Sequence, residues 1–203
     1  QAESLPEACQ QRHRITDAAR TIDRDARALL AETDVLEGSW WKLTPRPLRP
    51  QNLADQVFGE FHGRCENGDE FSLAGSAHSA WADVSLARFV VRELVTNAFK
   101  ATRAGQRKIT GSLELVDTDL VIEVSDNGCG IPEDQIDRVF QSGVRLEQAG
   151  YGTGSGHGLF KLRENIDFVG GRVEVHSRVG TGSRLRVVLP GFPPKRSDED
   201  EHN

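Results

Sequence analysis

Methionine is absent from the 203 residues, tyrosine occurs once, and cysteine three times, as Cys9, Cys65 and Cys129. Cysteines so far apart, with no C-x-x-C spacing, exclude a zinc ribbon and a disulfide framework and suit a reducing compartment, so a cytoplasmic location is expected. No apolar run approaches the roughly 18 residues that span a bilayer, and the N-terminus lacks the basic stretch and apolar segment of a secretory leader. Positive charge is in deficit: 25 Lys and Arg against 31 Asp and Glu give a net charge of −6. That balance offers no phosphate-seeking surface, so no nucleic-acid partner is expected. Because the chain starts on Gln1 and has no methionine, it is expected to be a piece of something longer, whose membrane anchorage the sequence leaves open. What is present, 37% hydrophobic and 28% charged residues, suits one globular domain with an appendage.

The appendage is N-terminal. Over residues 10 to 38, Ile15, Ile22, Leu29 and Leu36 recur every seven residues while Ala19, Ala26 and Thr33 fall four later, the seam of a helical bundle or coiled coil. The remaining faces are charged, so the helix requires partner helices to cover its stripe. Pro45, Pro47 and Pro50 in "LTPRPLRP" then predict a stiff linker and a domain boundary near residue 45. The division is 1–44 for the bundle helix and linker, 45–191 for the globular domain and 192–203 for a polar tail with nothing to bury.

Within the globular part the pattern predicts a helix around 51 to 64, with Leu53, Val57 and Phe61 on one face, and then a short strand "FSLAG". A longer helix starts at Asp83 as N-cap and buries Leu86, Phe89, Val90, Leu94 and Ala98. "ITGSLELV" and "LVIEVS" form a hairpin through "DTD". Pro132 then opens a helix that ends near Phe140, a glycine-rich loop follows, and another helix runs from about His157 to Phe168. A last hairpin pairs "RVEVHSR" with "SRLRVVLP" through "VGTG". Helices mixed with hairpins give an α+β fold, a two-layer sandwich with helices on one face of a mixed, mostly antiparallel sheet.

Three segments carry polar groups in an order that invites chemistry. In "RELVTNAFK", Glu93, Asn97 and Lys100 are four and three residues apart and project from one side of a helix. A carboxylate, an amide and an ammonium together can hold hydrated magnesium and a polyphosphate, although the same stripe alone also reads as a solvated face. In "DNGCGI", Asp126 closes a strand, and two glycines permit φ > 0 and close approach of a planar ligand whose amine the carboxylate accepts. "DNG" alone reads equally as a tight turn. In "GYGTGSGHGLF" the glycines run straight into a helix, whose N–H groups form an anion site, where composition alone reads as a flexible linker. The spacing is neither a Walker A loop nor a dinucleotide fingerprint.

Together "RELVTNAFKAT", "DNGCGI", "GSGHGLF" and "GTGSRLRVVLP" resemble, in this order, the GHKL ATPases, and among them the sensor histidine kinases, over about residues 45 to 190. The resemblance implies the GHKL sandwich, ATP and Mg2+ as nucleotide and metal, Asn97 as magnesium ligand and Lys100 as phosphate contact. Glu93 would join the metal's water shell or act as general base, and both readings stand. Asp126 would read adenine, Gly128, Gly130 and Ile131 would shape the pocket, and Gly154, Gly156, His157, Gly158 and Leu159 would wrap the phosphates. Ser183 would support adenine recognition through water. The bundle helix then resembles the second helix of a dimerisation and phosphotransfer hairpin. That implies a homodimer through this helix, an upstream sensor domain, and a response regulator receiving phosphate from a histidine upstream of this chain. His13 lacks the acidic residue and proline that follow the family's phosphoacceptor and reads as a surface histidine. Two further departures are His157, where the family has an apolar residue, and "VFQSG" at Val139 to Gly143, a reduced form of the family's aromatic segment. The rival readings are a serine/threonine kinase of the anti-sigma-factor type and a catalytically silent nucleotide-binding scaffold.

Overall fold

A computed structural model describes residues 43–144 and 156–192, and all of these but Leu43 belong to one compact unit, Thr44–Asn203. The expected bundle helix, residues 145–155 of the glycine-rich loop and the tail from residue 193 lie outside the described residues.

Part of the proline-rich run expected as a linker is a strand, just inside the start of the compact unit at Thr44. Pro45–Leu48 is a strand, β1, paired antiparallel with β3, Ala80–Asp83, which has no signature in the sequence beyond its alanines. In a two-stranded antiparallel ribbon alternate residues point their N–H away from the partner, and Pro45 and Pro47, two residues apart, share one side, where a missing N–H costs no ladder bond if that side faces outward. Pro50 occupies the first turn of helix α1, Pro50–His62, where the N–H would be unpaired anyway. Leu53, Ala54, Val57 and Phe61 form its buried face.

Strand β2, Glu70–Gly75, leads through β3 into helix α2, Val84–Ala101. Asp83 caps that helix as expected: Oδ1 accepts the Leu86 N–H at 2.9 Å while Oδ2 accepts the Thr44 N–H at 2.9 Å. The buried face is wider than one stripe. Ala87, Val91, Val95 and Phe99 join Leu86, Val90, Leu94 and Ala98, and Phe89 is only half-buried. The width follows from position, because α2 lies between α1 and helix α3, Gly158–Phe168, and packs on the sheet beneath.

The hairpin of β4, Lys108–Val116, and β5, Asp119–Asp126, and the hairpin of β6, Arg172–Arg178, and β7, Gly182–Leu189, fall where the sequence puts them. The sheet order is β2-β4-β5-β7-β6; β2 and β4 are parallel and every other pair antiparallel. Alternate residues Ile109, Leu113, Leu120, Ile122, Val124, Leu185 and Val187 point to the helices and are buried. This is the expected mixed, mostly antiparallel sheet with helices on one face.

The helix expected from Pro132 to Phe140 is replaced by two 3₁₀ turns, Glu133–Gln135 and Arg138–Phe140, with Pro132 itself extended at ψ 142°. Only Val139 of these turns is buried, and one apolar anchor over so short a run does not sustain α-helix.

Candidate functional site

The C-terminal half of α2 is the floor on which the other segments meet. Glu93 and Asn97 are half-buried, one turn apart, and Lys100 is exposed a turn further on. Thr102 closes the helix by donating its hydroxyl to the Ala98 carbonyl at 2.7 Å. The last carbonyl of α2, on Ala101, accepts the Cys129 N–H at 3.1 Å, so the loop after β5 serves as the helix's C-terminal cap.

That contact explains Gly128, though not as expected. Its φ is not positive; what forbids a side chain is space, since a Cβ would stand 2.5 Å from the Ala101 oxygen and 2.7 Å from Oδ1 of Asp126. Gly130 does take φ +70°, with its Cα pressed on the Arg178 carbonyl. Gly180 donates to the Cys129 carbonyl at 2.8 Å, so the loop is held between the end of α2 and the β6–β7 turn. Asn127 fastens it from below, accepting the Lys108 N–H at 2.8 Å and donating to the Gln106 carbonyl at 2.9 Å.

Asp126 stands at the end of β5 opposite Ser183 of β7. Burial pushes its carboxyl above the usual aspartate range, against the pull of the Gly128 and Ser183 N–H groups, the first at 2.7 Å. A half-buried carboxylate that retains acceptor capacity suits a ligand amine. Ser183 is itself buried, 8% exposed, and lies 2.9 Å from the hydroxyl of Ser177, which also receives the Ile131 N–H at 2.7 Å.

Further along the chain, Gly156 takes φ +75°, where a Cβ would stand 2.9 Å from the Val144 carbonyl oxygen, His157 Nδ1 lies 3.4 Å from Ser142 Oγ, and helix α3 begins at Gly158. The Cα of Gly158 faces the Glu93 carboxylate, so the glycine segment and the α2 stripe are in contact. Leu159 is half-buried in the same first turn, and Gly154 lies outside the described residues.

The donor set fits magnesium and a polyphosphate. Nδ2 of Asn97 is buried without a hydrogen-bond partner, a group an arriving oxygen would satisfy; the amide turned over would present its own oxygen to a cation. Among the described residues no group of three His, Cys, Asp or Glu could hold a metal ion. Magnesium takes one or two protein ligands plus substrate phosphates, so the Asn97 and Glu93 pair matches its habit. Ser177, which the expected set omits, stands beside Ser183: the two are equidistant from Gly180 in the β6–β7 hairpin and pair across it.

Residues 82–192 match the family model described as histidine kinase-, DNA gyrase B-, and HSP90-like ATPase. The adaptive-response sensory kinase SasA of Synechococcus elongatus is 29% identical over 184 residues, 87% of this chain and 47% of that protein. A probable C4-dicarboxylate sensor kinase of Bacillus subtilis is 31% identical over 112 residues, 54% of this chain and 20% of that protein. The chain thus spans less than half the length of these relatives. Among solved structures, the catalytic domain of histidine kinase ThkA superposes with a TM-score of 0.63 at 25% identity, covering 75% of this chain and 99% of that one. Full-length ShkA in complex with AMPPNP gives 0.72 at 23% identity, covering 94% and 40%.

Proposed function

This chain belongs to the histidine kinase-, DNA gyrase B- and HSP90-like ATPase family, and on that footing we propose that it is the ATP-binding catalytic domain of a two-component sensor histidine kinase. It transfers the γ-phosphoryl of ATP to a histidine on an upstream helix for relay to a response regulator, within a homodimer joined by the N-terminal bundle helix. The observation that carries the reading is convergence: α2 touches the Asp126 loop through Ala101 and the start of α3 through Glu93.

Phosphoryl transfer asks for positioning and charge neutralisation more than covalent chemistry. Asp126 accepts the adenine amine and fixes the base. Asn97 and Glu93 would hold magnesium, which when bound would neutralise charge on the phosphate oxygens. Lys100 adds a cation at the exposed rim, and the N–H groups at the start of α3 face the phosphates. Glu93 adjoins both the Asn97 turn and Gly158, a place consistent with magnesium's water shell and with a general base.

The test uses the full-length parent protein and γ-labelled ATP. An acid-labile, base-stable label is expected for phosphohistidine. An acid-stable label would assign the serine/threonine kinase reading. Saturable ATP binding with no label, unchanged by Asn97→Ala, would assign a silent scaffold. Among the described residues no helix is long and apolar enough to cross a membrane. The proposed cytoplasmic location rests instead on the scattered cysteines, which suit a reducing compartment.

A further inference from the structure

The geometry points to Ser177 as a positioning residue that sets the hydrogen-bond polarity of Ser183, and with it the preference of the pocket for an aminopurine; this rests on the purine-site reading proposed above. Four inner-face residues form one row across the sheet: Ile109 pairs with Asp126, Asp126 with Ser183, and Ser183 with Ser177. Asp126 is the acceptor of that row. The two hydroxyls next to it are linked, and one of them is committed elsewhere.

Ser177 Oγ accepts the Ile131 N–H at 2.7 Å and lies 3.0 Å from the Gly182 carbonyl and 2.9 Å from Ser183 Oγ. A hydroxyl has one proton and two lone pairs. Ile131 takes a lone pair, so the proton has two destinations. If it goes to Gly182, Ser183 donates to Ser177 and shows only lone pairs to the pocket. If it goes to Ser183, the Ser183 proton is free to point at a ligand, directly or through water.

Adenine presents a donor amine beside a ring nitrogen that accepts. Hypoxanthine presents the reverse, a carbonyl beside an N–H. With Asp126 taking the amine, the arrangement that complements adenine is the second, in which Ser177 donates to Ser183 and Ser183 donates outward. Ser177 also anchors Ile131, the end of the loop that carries Asp126, Gly128 and Gly130. One side chain therefore fixes both the loop and the polarity of its neighbour, without touching the base itself.

The experiment measures binding of ATP, inosine triphosphate and tripolyphosphate to the whole chain by calorimetry with magnesium present. Ser177→Ala is expected to weaken ATP about 10-fold, the order expected when buried groups lose a shared partner. Tripolyphosphate binding stays unchanged, inosine triphosphate changes little, and the preference for adenine narrows. Ser177→Thr restores ATP affinity. In a Ser183→Ala background, Ser177→Ala has a smaller effect, because it acts through Ser183. Ser177→Cys, which keeps the volume but donates weakly, carries the test should the alanine variant fail to fold. Equal losses for all three ligands, or no loss for ATP, would overturn the assignment while leaving the purine site intact. If the wild-type chain does not prefer ATP to inosine triphosphate, or Asp126→Asn changes nothing, the purine-site reading itself fails.

Discussion

The Glu93 carboxylate lies against the Cα of Gly158, so that a methyl group at 158 would stand 2.4 Å from Oε2. The contact is with the tip of a flexible side chain, which can swing aside, and alanine is the better helix former. Gly158→Ala is therefore expected to leave the urea midpoint unchanged or slightly raised, yet to displace the carboxylate by about an ångström. Misplacement on that scale costs on the order of 10²-fold in rate. Phosphoryl transfer in the full-length protein should fall by about that factor. In a Glu93→Ala background the second substitution should add nothing, which separates loss of the carboxylate from damage to α3.

Asp126 gives nucleotide binding a pH dependence. Burial raises its carboxyl in the unliganded protein, so the stability it contributes is fully present below the usual aspartate range and lost as pH rises through the raised value. A ligand amine favours the charged form, so binding releases a proton wherever the carboxyl is partly protonated. ATP affinity should accordingly fall as pH drops through the raised value, starting above the range of an ordinary aspartate. Asp126→Asn should abolish that dependence and weaken binding by about 1.5–3 kcal/mol, as a hydrogen bond to a charged group implies. Calorimetry between pH 4 and 8 in buffers of different ionisation heat checks both.

The main architecture is legible because its signals are local: α1, α2, α3 and both hairpins announce themselves by period, caps and turns. The Asp83 cap and the Leu53, Val57, Phe61 stripe need no tertiary knowledge. What fails is what depends on distant partners. "PRPL" carries the composition of a linker, and only pairing with Ala80–Asp83 makes it a strand. The run after Pro132 has a helix start without the buried periodicity to continue. Gly128 reads as a conformational glycine and turns out to be a steric one, because the Ala101 carbonyl that crowds it lies 27 residues away in sequence. Ser177 carries no local signal; only the β6–β7 register brings it against Ser183.

Asp83 joins two elements that local sequence treats separately. Its carboxylate takes the Leu86 N–H with one oxygen and the Thr44 N–H with the other, tying the start of α2 to the chain just ahead of β1. Asp83→Ala removes a cap and leaves a half-buried N–H unpaired, a loss of about 2 kcal/mol. Asp83→Asn, which can still accept through one oxygen, should lose less than half as much. Glu93, Asn97 and the Ala101 carbonyl belong to the other half of α2, so ATP affinity at saturating folded fraction should be unchanged in both variants. Urea unfolding alongside calorimetry distinguishes this from a site effect.

A second half-buried acid, its side chain covered, supports the loop from beneath. Asp69 accepts the Glu66 N–H at 2.9 Å, the Arg107 N–H at 2.9 Å and the Arg107 guanidinium at 2.8 Å. Burial alone would raise its carboxyl, but these N–H groups and the guanidinium charge prevail and hold it at about 2. Arg107 lies over the Phe99 ring at 5.0 Å, and its neighbours Gln106 and Lys108 are the residues Asn127 grips. Because the folded value is depressed, the stabilisation is present above the unfolded aspartate range and is lost as pH falls from there to about 2. Asp69→Asn should flatten the pH dependence of stability across that acid window while lowering the urea midpoint at neutral pH, where Arg107 loses its counter-charge. Arg107→Lys, which keeps a cation but not the planar fork, should retain the acid slope in part and recover only some of the midpoint. A variant whose acid slope matches the wild type would show that Asp69 is not the group that titrates there.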